Sequence, residues 1–328
     1  MSTAARIGGF VAALVAIFGI AIGVGRAVGP IDQPEAEHDA GHAGTTQAGD
    51  GDHAGHGGDT QVASTTEEVP GGLMVSQNGY TFALYTDDAR AGDDVPVAFA
   101  ITGPDGAPVT AFDVEHEKRL HLIAVRRDHT GFQHVHPELG RNGTWTTELD
   151  LTPGPWRLFA DFKAVGAEPL TLGSDLAVAG AYRPVGSVPD SRTAAVDDYR
   201  VEIGGDLVPG RDSRLTLTVR KDGEPVTDLQ PYLGAYGHLV ALREGDLAYL
   251  HVHPDGTPGD GATEPGPDVV FYASVPSAGR YRLYLDFQHD GVVRTAAFTL
   301  TAGDGATGTE PAPQPTDENS GGHDDHGH

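Results

Sequence analysis

His121-Leu-Ile-Ala-Val-Arg126, followed by Phe132-Gln-His134-Val-His136-Pro137, returns further along the chain as His238-Leu-Val-Ala-Leu-Arg243 and Tyr249-Leu-His251-Val-His253-Pro254. The two copies align without a gap at an offset of 117 residues (238 against 121). Upstream, Gly103-Pro-Asp-Gly-Ala-Pro-Val109 resembles Lys221-Asp-Gly-Glu-Pro-Val226. Downstream, Trp156-Arg-Leu-Phe-Ala-Asp161-Phe162 answers Tyr281-Arg-Leu-Tyr-Leu-Asp286-Phe287 at an offset of 125. The extra residues of the second copy fall in the Gly/Pro/acidic run 256–267, where a longer surface loop costs little closure entropy. A duplication of this length sets the domain organisation before any motif is considered.

Each copy reads as short strands. Val95, Val97, Phe99 and Ile101 alternate with period two, as do Leu215, Leu217 and Val219. Asp105-Gly106 and Asp222-Gly223 are hairpin-turn dipeptides. Alternation of strand and helix patterns is absent, and so is a Gly-rich phosphate loop. The expected fold is all-β: two tandem immunoglobulin-like β-sandwiches at 71–180 and 197–302, joined by a connector at 181–196.

Composition narrows the function classes. The 328 residues hold 47 Asp+Glu against 21 Lys+Arg, a formal net charge of -26. Such a surface repels nucleic acid. With no cysteine, disulfides, thiolate zinc sites, iron–sulfur clusters and catalytic thiols are all excluded. The 46 Gly and 23 Pro fit many turns and few long helices.

The ends differ from the middle. Ile7–Gly25 is an uncharged apolar run between Arg6 and Arg26, about the length of a transmembrane helix and longer than a signal-peptide core. Residues 1–30 are therefore expected to form an N-terminal membrane anchor. Arg6 would stay inside, with the bulk of the chain on the extracytoplasmic side of the cell membrane. Residues 31–70 and 303–328 are acidic, lack basic residues and carry His38, His42, His53, His56, His323, His326 and His328. They are expected to be disordered tails that collect divalent cations weakly.

Candidate chemistry lies in the duplicated histidines. Residues two apart on a strand share a face, so His134 projects with His136 and His251 with His253. A hairpin turning near Arg127–Gly131 brings the His134 strand back beside His121, and cross-strand neighbours are close enough to share a metal. The expectation is one divalent-metal site per copy: His121, His134 and His136 in the first, His238, His251 and His253 in the second. Asp161 and Asp286 would be optional oxygen ligands. Imidazole donors favour copper(II), with zinc(II) the other candidate. A blue-copper site is excluded for want of a thiolate. Neutral imidazole is needed for binding, so the expected affinity falls as pH drops through about 6.5.

A plainer reading stands beside this one. His121 shares its face with Ile123 and Val125, and His238 with Val240 and Leu242, so each would serve equally as a satisfied core histidine. Asp161 and Asp286 would then pair with Arg126, Arg243, Arg157 or Arg282. His116 and His129 have no counterpart in the second copy, and His289 is likewise unmatched.

The anchor ending in Val28-Gly29-Pro30, the His-rich linker and the two His-x-His-Pro segments resemble membrane-anchored exported proteins of high-GC Gram-positive bacteria. More loosely, the domains resemble copper-handling β-sandwiches of the CopC/YtkA-like type. That resemblance implies extracytoplasmic handling of a metal, copper first; the expected partners are metal ions, the membrane through the N-terminal helix, and another envelope metal-handling protein. The copper-carrier pattern of a His near a free amino terminus is missing here. The expected function is non-enzymatic, membrane-anchored binding of copper(II) or zinc(II), the alternative being an envelope interaction module whose histidine pairs are architectural. A three-His site with an open position is also a catalytic zinc pattern.

Overall fold

A computed structural model describes residues 69–86, 88–250 and 252–303. The expected anchor, almost all of both acidic tails, and His251 lie outside the described residues. Among the described residues every regular element is a strand, and no helix is long and apolar enough to cross a membrane.

The first repeat holds β1 (Ser76–Gln77), β2 (Tyr80–Leu84), β3 (Asp88–Arg90), β4 (Gly92–Thr102) and β5 (Leu120–Arg126). It continues with β6 (Gln133–Val135), β7 (Glu138–Leu139), β8 (Thr144–Leu151), β9 (Gly154–Phe162) and β10 (Leu170–Ala179). One sheet has the order β1-β2-β4-β8-β7 and the other β3-β10-β9-β5-β6. All pairings are antiparallel except β3 on β10. Phe82, Phe99, Trp145, Leu122, Leu158 and Trp156 fill the space between the two sheets.

The second repeat holds β11 (Thr193–Val196), β12 (Tyr199–Gly204), β13 (Asp212–Lys221), β14 (Glu224–Pro225) and β15 (His238–Arg243). After these come β16 (Tyr249–Leu250), β17 (Val252–Pro254), β18 (Asp268–Ser274), β19 (Gly279–His289) and β20 (Val292–Ala302). One sheet runs β11-β12-β13-β18-β17, with β14 on β13, and the other runs β16-β15-β19-β20. Asp222-Gly223 forms the expected two-residue turn, both residues having positive φ between paired Lys221 and Glu224. The expected connector is too long at its far end. Thr193–Val196 is a strand on β12, and Ala194 and Val196 pack on the second core, so the second sandwich begins there.

A third apolar cluster joins the two repeats. Ile123, Val125 and Phe159 lie on the outward face of β5 and β9. They pack in one buried group with Val240, Leu242 and Tyr284 of β15 and β19. The sequence alignment pairs these residues: 123 with 240, 125 with 242, and 159 with 284. Equivalent faces of the two copies therefore meet, as in a two-fold dimer whose subunits share one chain. Rings repeat the relation, with Phe132 stacked on Tyr284 at 4.0 Å and its counterpart Tyr249 against Phe159 at 5.7 Å. Each such buried side chain contributes about 1.5–3 kcal/mol by area.

This double burial explains why β5 reads as an almost unbroken apolar run. Its inward residues face one core and its outward residues the other. Residues 71–74 strap the junction: Tyr249 N–H donates to Gly71 O, and Gly72 N–H donates to Thr171 O. Gly72 has φ of 71°, and a Cβ there would sit 2.3 Å from the Phe159 ring. Replacing fully buried Phe159 with alanine is expected to destabilise the protein by about 3–5 kcal/mol. Urea unfolding measures it, and a loss below about 1 kcal/mol would mean the two faces do not pack together.

Candidate metal centre

The β5–β6 turn is held by its own polar groups. Asp128 accepts from Arg126 Nη2 at 2.9 Å and from Thr130 Oγ1 at 2.7 Å. His129 N–H donates to Arg126 O. His129 and Gly131 both adopt positive φ in this turn. The resulting register sets Ile123 opposite His134 and Leu122 opposite Val135. One step further along, His136 faces His121. All three rings lie on the outward face, at the edge of the apolar junction.

The nitrogens converge. His121 Nδ1 is 3.0 Å from His134 Nε2 and 3.2 Å from His136 Nε2. Donor atoms around a tetrahedral ion with ~2.0–2.1 Å bonds stand about 3.3 Å apart, so the rings are already spaced for one. The second sandwich completes the cluster. His238 and Asp286 are register partners on β15 and β19, and Asp286 Oδ2 lies 2.9 Å from His134 Nδ1. Both side chains of that pair are almost fully buried, at 2% and 3% exposure. His238 stacks on its counterpart His121 with ring centroids 5.6 Å apart.

Tautomers follow from the partners. A carbonyl or carboxylate oxygen only accepts, so His121 Nε2–H donates to Glu115 O at 3.1 Å and His134 Nδ1–H donates to Asp286. In neutral rings this leaves lone pairs on His121 Nδ1 and His134 Nε2, facing each other at 3.0 Å. Two lone pairs at that distance require a cation between them, either a proton or a metal. Burial first, and the neighbouring His134 charge second, lower His121 to about 4. The same causes, joined by His121, lower His136 to about 3. Burial also takes His238 well below the usual imidazole value. His121, His136 and His238 are therefore neutral at pH 7, the form in which an imidazole ligates a metal.

Two donor sets emerge among the described residues. One is His121, His134 and His136; the other is His134, His238 and Asp286, each with its atoms within 4.8 Å of one another. His121, His134 and His136 come together as the first copy's sequence led one to expect, whereas in the second copy His238 joins His134 and Asp286 rather than His253, and His251 lies outside the described residues. The reason lies in β16, which leaves β15 after Leu250, so the chain crosses to the other sheet as β17. His253 consequently lies opposite Tyr272, and it enters neither donor set. In the first copy β6 stays on β5 through Val135.

Asp161 faces His121 across β5 and β9 and accepts from Thr171 Oγ1, as Asp286 accepts from Thr295 Oγ1. Burial raises its pKa, and its carboxylate falls outside both sets. The arginines offered as partners for the two aspartates are occupied elsewhere. Arg126 pairs with Asp128, Arg243 with Asp246 and Arg157 with Asp175, while Arg282 donates to Thr299.

His116 was undervalued by sequence. It sits with Glu117 in a positive-φ turn closed by Glu115 and Lys118, and its ring stands about 6 Å from both His121 and His238. The matching turn at Leu233-Gly234 carries no imidazole, so alignment between the copies gave no signal for it. His289 is structural, bonded to Tyr199 Oη and Asp228. A cleft of about 1040 Å³, lined by Glu115, His116, Lys118, His121, Asp161 and Tyr249 among others, leads to the cluster.

Among solved structures, the chain is similar to the Escherichia coli adhesin FdeC at 14% identity and a TM-score of 0.22, over 70% of this chain and 65% of that one. It is also similar to the Yersinia pseudotuberculosis adhesin InvE (13%, TM-score 0.20, 69% and 59%) and to InvD of the same organism (14%, TM-score 0.23, 69% and 58%). The chain thus spans less than two thirds of each of these structures. A search of curated proteins gives no match. A family model matches once at residues 75–178 and again at 194–304, covering both sandwiches, and the chain belongs to that family, described as Domain of unknown function (DUF8832).

Proposed function

We propose that the duplicated region binds a divalent metal ion at the junction of its two sandwiches, through His121 Nδ1, His134 Nε2 and His136 Nε2. The observation that carries this reading is the convergence of three ring nitrogens, His121 Nδ1 lying 3.0 Å from His134 Nε2 and 3.2 Å from His136 Nε2, with Glu115 O behind His121 and Asp286 behind His134. The carbonyl behind His121 and the carboxylate behind His134 orient those rings and raise their basicity, the arrangement metal-ligating histidines use. Three nitrogen donors without sulfur favour copper(II), and zinc(II) fits the same geometry. The His-rich acidic tails and the apolar run Ile7–Gly25 extend this to membrane-anchored, extracytoplasmic metal handling. The strand orders β2-β4-β8-β7 and β10-β9-β5-β6 match the two sheets of an immunoglobulin-like sandwich, which supports that finer fold reading.

Calorimetric titration of the full chain with copper(II) and with zinc(II) tests the site. The seven tail histidines are replaced by glutamine to remove weak binding. Tight binding is expected, and replacing His121, His134 and His136 together with alanine should abolish it. Equal binding by the parent and the triple variant would refute the assignment. One observation favours the architectural alternative: His121 Nε2–H ties the Glu115 turn to β5. Under that reading metal leaves the melting temperature unchanged. An ion held at 1,000 times its dissociation constant instead adds about 4 kcal/mol.

A further inference from the structure

Resting on that reading, we propose a second ion position, held by His134 Nδ1, His238 and Asp286, with the His134 ring as an imidazolate bridge between two metals. The two nitrogens of His134 point to two separate donor sets. Nε2 meets His121 and Nδ1 meets Asp286, one on each side of the ring. His238 and Asp286 both come from the second sandwich, so the bridge spans the junction.

An independent observation marks the second position. His238 Nδ1 is buried and has no hydrogen-bond partner. A buried polar atom left unpaired costs about 1–3 kcal/mol, and folded proteins seldom keep one without use. Its sequence counterpart is His121, whose own Nδ1 belongs to the first donor set. His238 thus repeats, from the second sandwich, the part that His121 plays from the first. One nitrogen of His238, one of His134 and one Asp286 oxygen already lie within 4.8 Å of one another.

The chemistry balances without a redox partner. The second ion replaces the proton that His134 Nδ1 donates to Asp286. The N–H bond breaks, an N–metal bond forms, and the proton leaves to water through the cleft beside His121 and His116. The imidazolate and the Asp286 carboxylate supply two negative charges against the two positive charges of the incoming ion, which offsets its loss of hydration. Thr295 Oγ1–H continues to donate to Asp286 Oδ1 at 2.6 Å, leaving Oδ2 free to ligate.

Copper(II) titration of the full chain with its tail histidines replaced, followed by calorimetry and electron paramagnetic resonance, separates the outcomes. Two equivalents are expected. The resonance should grow with the first and shrink with the second, because an imidazolate couples two copper(II) spins antiferromagnetically. His238→Gln should bring the count from two to one and leave the resonance at full intensity. Asp286→Asn provides the same reading if that variant does not fold. A parent that stops at one equivalent overturns the second position and leaves the first standing. Two equivalents with simply additive signals overturn the bridge. No bound copper overturns both.

Discussion

His134→Ala is expected to remove all tight metal binding from the folded region, a larger effect than any other single substitution of a ligand. His134 is the residue shared by both donor sets, through a different nitrogen in each. Removing a group behind a ligand already costs about 10–100-fold in metal affinity, so losing a ligand common to both sets costs more. Asp286→Asn, which weakens the acceptor behind His134 but spares the three nitrogens, should lose affinity for the first ion by about 10–100-fold. The comparison also decides between a composite centre and one site per repeat. If each repeat bound its own ion, His134→Ala would leave half of the tight equivalents in place. Calorimetry on the full chain with its tail histidines replaced reads the difference, and a retained half would sink the composite centre.

Much of this arrangement was legible in the residues. The duplication, the period-two strands and the turn dipeptides led to two β-sandwiches, and the turn near Arg127–Gly131 led to the hairpin that brings His134 and His136 to His121. What escaped is that the copies pack on each other. A tandem repeat states that two modules exist and leaves open whether they touch. The signal was nonetheless present in β5, whose residues Leu120–Val125 are all buried. A strand with one face to water alternates, whereas His-Leu-Ile-Ala-Val scarcely does. Ile123 and Val125, considered only as company for a core histidine, were half of an interface. Once that face is covered, His238 is brought against His121 and His134 of the other copy. The departure of β16 from β15 after Leu250 had no sequence signal, because both copies keep the same His-x-His-Pro letters. Only the lengths of pairing differ.

Acidification of the metal-free protein from pH 6.5 to pH 4 is expected to lower its stability steeply. In the unfolded chain each imidazole titrates near 6.5, whereas His121 and His129 are held at about 4 and His136 at about 3, in each case chiefly by burial. Between these values the unfolded state binds more protons than the folded one, so stability rises with pH across the window. The contribution is complete above 6.5 and is lost as pH falls toward the folded values. For His121, which is 3% exposed, the displacement from 6.5 to about 4 corresponds to roughly 3 kcal/mol. His238 adds to the same slope, its pKa being lowered well below the usual value by burial. Asp161 opposes it: burial raises that carboxyl, so the folded state gains from its protonation at the acid end.

The same displacement changes the expected pH dependence of binding. Protons compete for His121 and His136 only near pH 4 and below, so their share of metal affinity should change less than about two-fold between pH 7.5 and 5.5. Two unperturbed imidazoles would lose about a hundred-fold over that interval. Thermal melts of the metal-free chain across pH 4–7, paired with zinc titrations at pH 5.5 and 7.5, give both results. A flat melting profile, or a hundred-fold loss of affinity for the first zinc ion at pH 5.5, would mean that these rings are hydrated and titrate as they do in an open chain.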